Sequence, residues 1–156
     1  KTVKNYLITT SIALILGLSA NAQTPTKEES HKKLSMHHTT SSQHATKIHS
    51  GTAKTTSEQK SSAVSAGKSL EDAKKAHQEL KTSIPANQKS AAKVHHDAID
   101  KHHAEATSHH KALTEELAKP KPDAAKVKTH ATNLDNSVKS AEKEHQSLKS
   151  ATPSAK

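Results

Sequence analysis

VHHDAIDKHHAEATSHHKALT, residues Val94–Thr114, is three consecutive heptads, each carrying a His-His pair: His95/His96, His102/His103 and His109/His110. Seven residues turn a straight helix about 20° short of two full turns and raise it about 10.5 Å. Each member of the pair therefore forms its own column along the helix. Between the columns runs an apolar line, Ala92, Ile99, Ala106 and Leu113. At about 100° per residue, one histidine column lies about 60° to one side of that line and the other about 40° to the other side. Histidine thus flanks, and partly forms, the face that must pack. This pattern predicts a helical bundle with imidazoles at its interior.

The flanking segments carry the same rhythm. Ala63, Ala66, Leu70, Ala73, His77, Leu80 and Ile84 alternate spacings of three and four, as do Val127, Ala131, Leu134, Val138, Ala141, His145 and Leu148. Both are helical seams. Ile84-Pro85-Ala86-Asn87 breaks the chain, with Asn87 placed to cap the next helix. Lys119-Pro120-Lys121-Pro122-Asp123 breaks it again, with Pro122 at a first helical position. Thr26-Lys-Glu-Glu29 and Thr56-Ser-Glu-Gln59 have capping-box spacing, and Gly51 to Thr55 reads as a turn. The expectation is an all-α, antiparallel up-down helical bundle or coiled coil. Three firm helices run over about 57–83, 88–118 and 122–150. A fourth, amino-terminal helix over about 27–50 is weak or partly disordered, because only Leu34 and Ile48 in its stripe are strongly apolar.

Composition narrows the class. The chain has 156 residues, 14 His, no Cys, no Arg and one aromatic residue, Tyr6; hydrophobic residues make up 30%, against the usual 45–50%. Without Cys there are no disulfides, thiolate metal sites or cysteine lipid anchors. Residues 1–22 read as a secretory signal peptide: Lys1 and Lys4, an apolar run to Leu18, then Ala20-Asn21-Ala22 with cleavage after Ala22. That run is too short to span a bilayer comfortably. The expected division is residues 1–22 as signal, 23–56 as a His-rich amino-terminal segment, 57–150 as the bundle and 151–156 as a disordered tail. The expected location is the periplasm or the cell exterior. Removing 22 of 156 residues leaves 134, with 22 Lys against 15 acidic residues, a charge of +7.

Histidines seven apart on one helix stand too far apart to share an ion whose bonds are about 2.0–2.1 Å. Adjacent histidines diverge by about 100°. A site must therefore form between helices. Counting outward from the turns places His77 beside His95, and His145 opposite His96; it places His130 beside His110, with His109 on the same level. His31, His44 and His49 fall near these two levels, and His102/His103 meets only Leu70 and Val138. The candidate metal ligands are His77, His95, His96, His145, His109, His110 and His130. Asp100 and Glu105 lie one helical turn from neighbouring histidines and can orient a ring or donate an oxygen. Imidazole with carboxylate suits Zn, Ni or Cu(II).

These readings point to a secreted or periplasmic His-rich protein that binds transition-metal ions as a buffer, sequestration or sensing protein. The alternative is a metal-free structural or interaction protein, a helical adapter or stress protein whose seams bind a helical partner or self-associate. Nucleic acid is disfavoured, because acids are interspersed with the lysines and no Arg or aromatic side chain after the signal segment can grip a base. No Ser-His-acid spacing, Gly-rich loop or HExxH motif suggests an enzyme.

Overall fold

The computed structural model describes residues 25–153; the expected signal peptide, and Ser154 onward in the tail, lie outside the described residues. Four helices occur in order: α1 (Lys27–His49), α2 (Thr56–Ser83), α3 (Lys89–Ala118) and α4 (Ala124–Ala151), with one 3₁₀ turn, Ala86–Gln88, ahead of α3. The chain is an all-α up-down bundle, as its periodicity implies.

The helix ends explain where each element stops. Thr26 caps α1 in a capping box, its hydroxyl accepting from Glu29 N–H while Glu29 accepts from Thr26 N–H. Thr55 and Glu58 form the second box, one residue ahead of the expected Thr56 and Gln59. Gly51 closes α1 at φ +79°, the left-handed conformation that a Cβ disfavours. Pro85 forces Ile84 into extended backbone and so ends α2. Asn87 does not cap α3; it sits inside the 3₁₀ turn, and Gln88 occupies the cap without a side-chain bond. Pro122 is not the first residue of α4. Asp123 succeeds it as the cap, its carboxylate accepting from Ala125 and Lys126 N–H.

Each helix packs on two neighbours: α1 on α2 and α4, α3 on α2 and α4. The α2–α3 side is the thinnest of the four. Two apolar clusters fill the interior. One, at the end nearer the α1–α2 turn, gathers Ile48, Leu70, Leu113, Leu117, Leu134 and Val138 with several alanines. The other, at the opposite end, holds Leu34, Leu80, Ile84, Ile99 and Leu148 with Ala73, Ala76 and Ala92. The amino-terminal helix is a full member of this core, not a weak appendage: Leu34 and Ala45 are completely buried. Its sparse apolar stripe is completed by Ser30, His31, His38 and Ser41, all buried too.

The two hairpins are versions of one another. An offset of 65 residues relates α1 to α3, pairing His31 with His96, Leu34 with Ile99, His38 with His103 and Ile48 with Leu113. An offset of 68 relates α2 to α4, pairing Ala73 with Ala141, His77 with His145 and Leu80 with Leu148. Around the last set, AKKAHQELK (73–81) matches AEKEHQSLK (141–149). Every residue in these pairs is buried. The bundle is thus a helical hairpin used twice, and its interior histidines come in equivalent couples.

Candidate metal centre

Six histidines meet inside the bundle: His31 and His38 on α1, His77 on α2, His96 and His103 on α3, His145 on α4. Three ring–ring hydrogen bonds join them across helices, each with two nitrogens 2.8 Å apart: His31 Nδ1 with His145 Nε2, His38 Nε2 with His103 Nε2, and His77 Nε2 with His96 Nδ1. The first and third couples are equivalent under the hairpin repeat. The second joins two residues that are each other's equivalents and crosses the diagonal from α1 to α3.

Carboxylates tie the couples together. Glu142 Oε2 lies 2.8 Å from His38 Nδ1 and 3.2 Å from His145 Nδ1. Its other oxygen accepts from Ser35 Oγ at 2.7 Å and from Gln146. Burial raises the Glu142 carboxyl, but the hydrogen bonds from His145, His38, Ser35 and Gln146 outweigh it and hold the pKa well below the usual range. On the other side, Asp100 Oδ1 lies 3.1 Å from His77 Nδ1, and Asp100 also pairs with Lys81.

Two groups result whose ligand atoms all lie within 4.8 Å of one another: His38, Glu142 and His145, and His77, Asp100 and His103. Each is two imidazoles and one carboxylate. In each, the carboxylate stands three residues before a histidine of its own helix, Glu142-x-x-His145 and Asp100-x-x-His103, which puts both on one face. The third ligand comes from a helix of the other hairpin. Two donors bonded to one tetrahedral ion at 2.0–2.1 Å stand about 3.4 Å apart, so small side-chain shifts complete either group.

Protonation favours the ligand form. Burial pushes His77 down to about 3, helped by His96 and Lys81, and His103 down to about 3, helped by His38 and His77. Burial and then His145 take His31 to about 4. Burial also lowers His38, against the pull of Glu142, and lowers His96. Near pH 7 these rings are neutral and carry one lone pair each, the form that binds a metal.

The lone pairs can be placed. An ionised carboxylate only accepts, so His145 and His38 both donate Nδ1–H to Glu142. His145 Nε2 is then bare and accepts from His31 Nδ1–H. That leaves His31 Nε2 as a bare lone pair, and it is buried without a partner. His77 Nδ1 and His96 Nε2 are likewise buried and unpartnered; the Asp100 oxygen near His77 is close enough but poorly aligned for a hydrogen bond. Each such atom costs about 1–3 kcal/mol.

The candidates read from the sequence divide. His77 and His145 belong to the two groups, and His96 bonds to His77. His95, His109, His110 and His130 belong to neither. His95 instead pairs with Glu144 at 3.1 Å on the rim of α3 and α4. His110 turns onto α2 and donates Nε2–H to the Ala63 carbonyl at 2.9 Å. His109 and His130 are half-buried, so the expected second histidine level has no ligand group among the described residues. Glu105 pairs with His102. His103, expected to meet only Leu70 and Val138, faces His38. Three members of the groups, His38, His103 and Glu142, were missed as metal candidates, because counting from a turn relates only helices joined by that turn. The hairpin repeat was the available signal, since it makes His38 the equivalent of His103.

Compared with known protein families, with curated proteins and with solved structures, the chain matches none. Its function rests on its own geometry.

Proposed function

We propose that this chain binds transition-metal ions at the two His₂-carboxylate groups and serves as a metal buffer or sequestration protein. The observation that carries this reading is His77 Nδ1: a buried nitrogen with no hydrogen-bond partner, 3.1 Å from a carboxylate oxygen, inside a three-ligand cluster. A cation between the two atoms satisfies both. Two imidazoles and one carboxylate with open positions suit Zn, and the same set suits Fe(II); Ni and Cu(II) remain compatible with imidazole and carboxylate. A groove of about 510 Å³ between α2 and α3 reaches Asp100 and His103. A smaller one of about 160 Å³ on the opposite side reaches His38 and Glu142. Ions thus have a route to either group.

A binding role fits better than a catalytic one, because Glu142 already engages both His38 and His145 and the grooves are lined mainly by polar and charged side chains. A periplasmic or secreted setting fits a chain without Cys whose amino-terminal segment reads as a signal peptide. Among the described residues no helix is long and apolar enough to cross a membrane. The metal-free adapter reading is weakened by the burial of all four helical seams inside the chain's own core.

The test is a Zn titration against a chromophoric chelator, with Fe(II), Ni and Cu(II) in parallel. The His38→Ala/His77→Ala double variant removes one ligand from each group and is expected to lose at least a hundredfold in affinity. His109→Ala/His130→Ala is expected to bind as the parent does. Equal loss in both variants, or in neither, sinks the proposal.

A further inference from the structure

The two ligand groups are not separate. His38 belongs to one and His103 to the other, and their Nε2 atoms face each other at 2.8 Å across the bundle diagonal. We propose that this single bond makes the two groups antagonistic: an ion held by His38, Glu142 and His145 opposes a second ion at His77, Asp100 and His103. The inference rests on the metal-binding reading above and adds how the two positions regulate one another.

Each neutral ring carries one proton. His38 places its proton on Nδ1, toward Glu142, so the proton in the 2.8 Å bond belongs to His103. An ion at the first group takes the Nδ1 lone pair of His38, and the neutral ring then carries its proton on Nε2. That proton now points at the N–H of His103. The clash is relieved when His103 moves its own proton to Nδ1 and accepts from His38.

A second ion must then use one of two nitrogens on His103, and both are engaged. Nδ1 carries the proton, and Nε2 accepts the one from His38. Ligation through Nδ1 returns the His103 proton to Nε2, against His38 Nε2–H. Ligation through Nε2 competes with the same N–H. Both rings are buried and held face to face, so either way the second ion binds only when one proton leaves the couple for solvent. The first ion also displaces the Nδ1–H bonds of His38 and His145 to Glu142, and the His145 proton moves to Nε2 and reverses the bond with His31; the proton lost from the His38–His103 couple goes to solvent.

The experiment compares stepwise Zn affinities in the full chain with those of two variants that each keep a single group together with His38 and His103. Glu142→Ala/His145→Ala leaves the second group, and His77→Ala/Asp100→Ala leaves the first. Glu142→Gln/His145→Gln serves if the alanine version loses its helical circular dichroism. In the full chain the second ion is expected to bind at least tenfold more weakly than the weaker single-group variant. Calorimetry in buffers of different ionisation enthalpy is expected to show about one more proton released by that second ion than by the same group alone. Stepwise constants that match the single-group constants overturn the proposal. So does a weaker second step with no extra proton, which assigns the effect to charge repulsion. If no protein in the set binds Zn, the metal-binding reading fails and this one with it.

Discussion

The ring of His110 lies on Gly67: a Cβ built at position 67 would collide with both Cε1 and Nε2 of that ring. The same Nε2 donates to the Ala63 carbonyl one turn earlier on α2. A glycine in mid-helix costs about 1 kcal/mol relative to alanine, so the position trades helix propensity for the seat of an imidazole. Gly67→Ala in the parent is expected to leave stability within about 0.5 kcal/mol, because the propensity gained offsets the displaced ring and its hydrogen bond. In a His110→Ala background the same change is expected to stabilise by about 1 kcal/mol. Urea denaturation of the four proteins closes the cycle, and equal effects in both backgrounds would show that the ring does not occupy the seat.

Asp135 locks α4 to α1. It is almost fully buried and accepts from Ser42 Oγ at 2.5 Å, Thr46 Oγ1 at 3.4 Å, His49 Nε2 at 3.1 Å and Lys139 Nζ at 2.8 Å. Burial raises its pKa, and the bonds from Lys139, Ser42 and His49 more than reverse that. Asp135→Ala removes a buried hub and is expected to cost about 2–3 kcal/mol. Asp135→Asn, which keeps one acceptor, is expected to cost less. Seven residues, about 10.5 Å of helix, separate it from Glu142, so Zn affinity is expected to stay within about twofold, measured alongside the denaturation curves.

Acid is expected to unfold the bundle early. His77 and His103 titrate at about 3 and His31 at about 4 in the folded chain, against 6.5 when unfolded. Between those values the unfolded state binds more protons, so stability rises with pH and falls as pH drops from about 6.5 toward 3. Each such histidine contributes up to about 1.4 kcal/mol per pH unit inside that window. Glu142, also lowered, adds a loss of the same sign once pH falls below its ordinary value of 4.5. Helical circular dichroism is expected to collapse between about pH 6 and pH 4. His77→Leu, which deletes one of these sites, is expected to move the midpoint downward; an unchanged midpoint would mean that this ring does not set it.

Much of the fold was legible because helices announce themselves locally. Prolines 85, 120 and 122 marked the breaks, and three-four spacing marked the buried faces. The caps slipped by a residue where two candidates adjoin, as with Thr55 and Thr56. The amino-terminal helix was undervalued because its interior is partly polar: His31, His38 and Ser41 fill positions that a count of aliphatics leaves blank. The site was less legible for a related reason. Hairpin counting brought His77 toward α3, but it set His145 against His96, whereas α4 turns that ring to α1 and His31. Contacts between α1 and α4, and across the diagonal to α3, arise from closure of the ring of helices, which no single turn encodes. His109, His110 and His130 shared the histidine rhythm without sharing its interior position.

The repeated hairpin sets a condition on assembly. The first half of the chain supplies His38 and His77; the second supplies Asp100, His103, Glu142 and His145. Neither half owns a complete group, so an ion bound at either one would also be a clasp between them. On the proposed reading, cutting the backbone near Pro85 would leave two pieces whose reunion, already driven by the apolar clusters they share, the ion would strengthen.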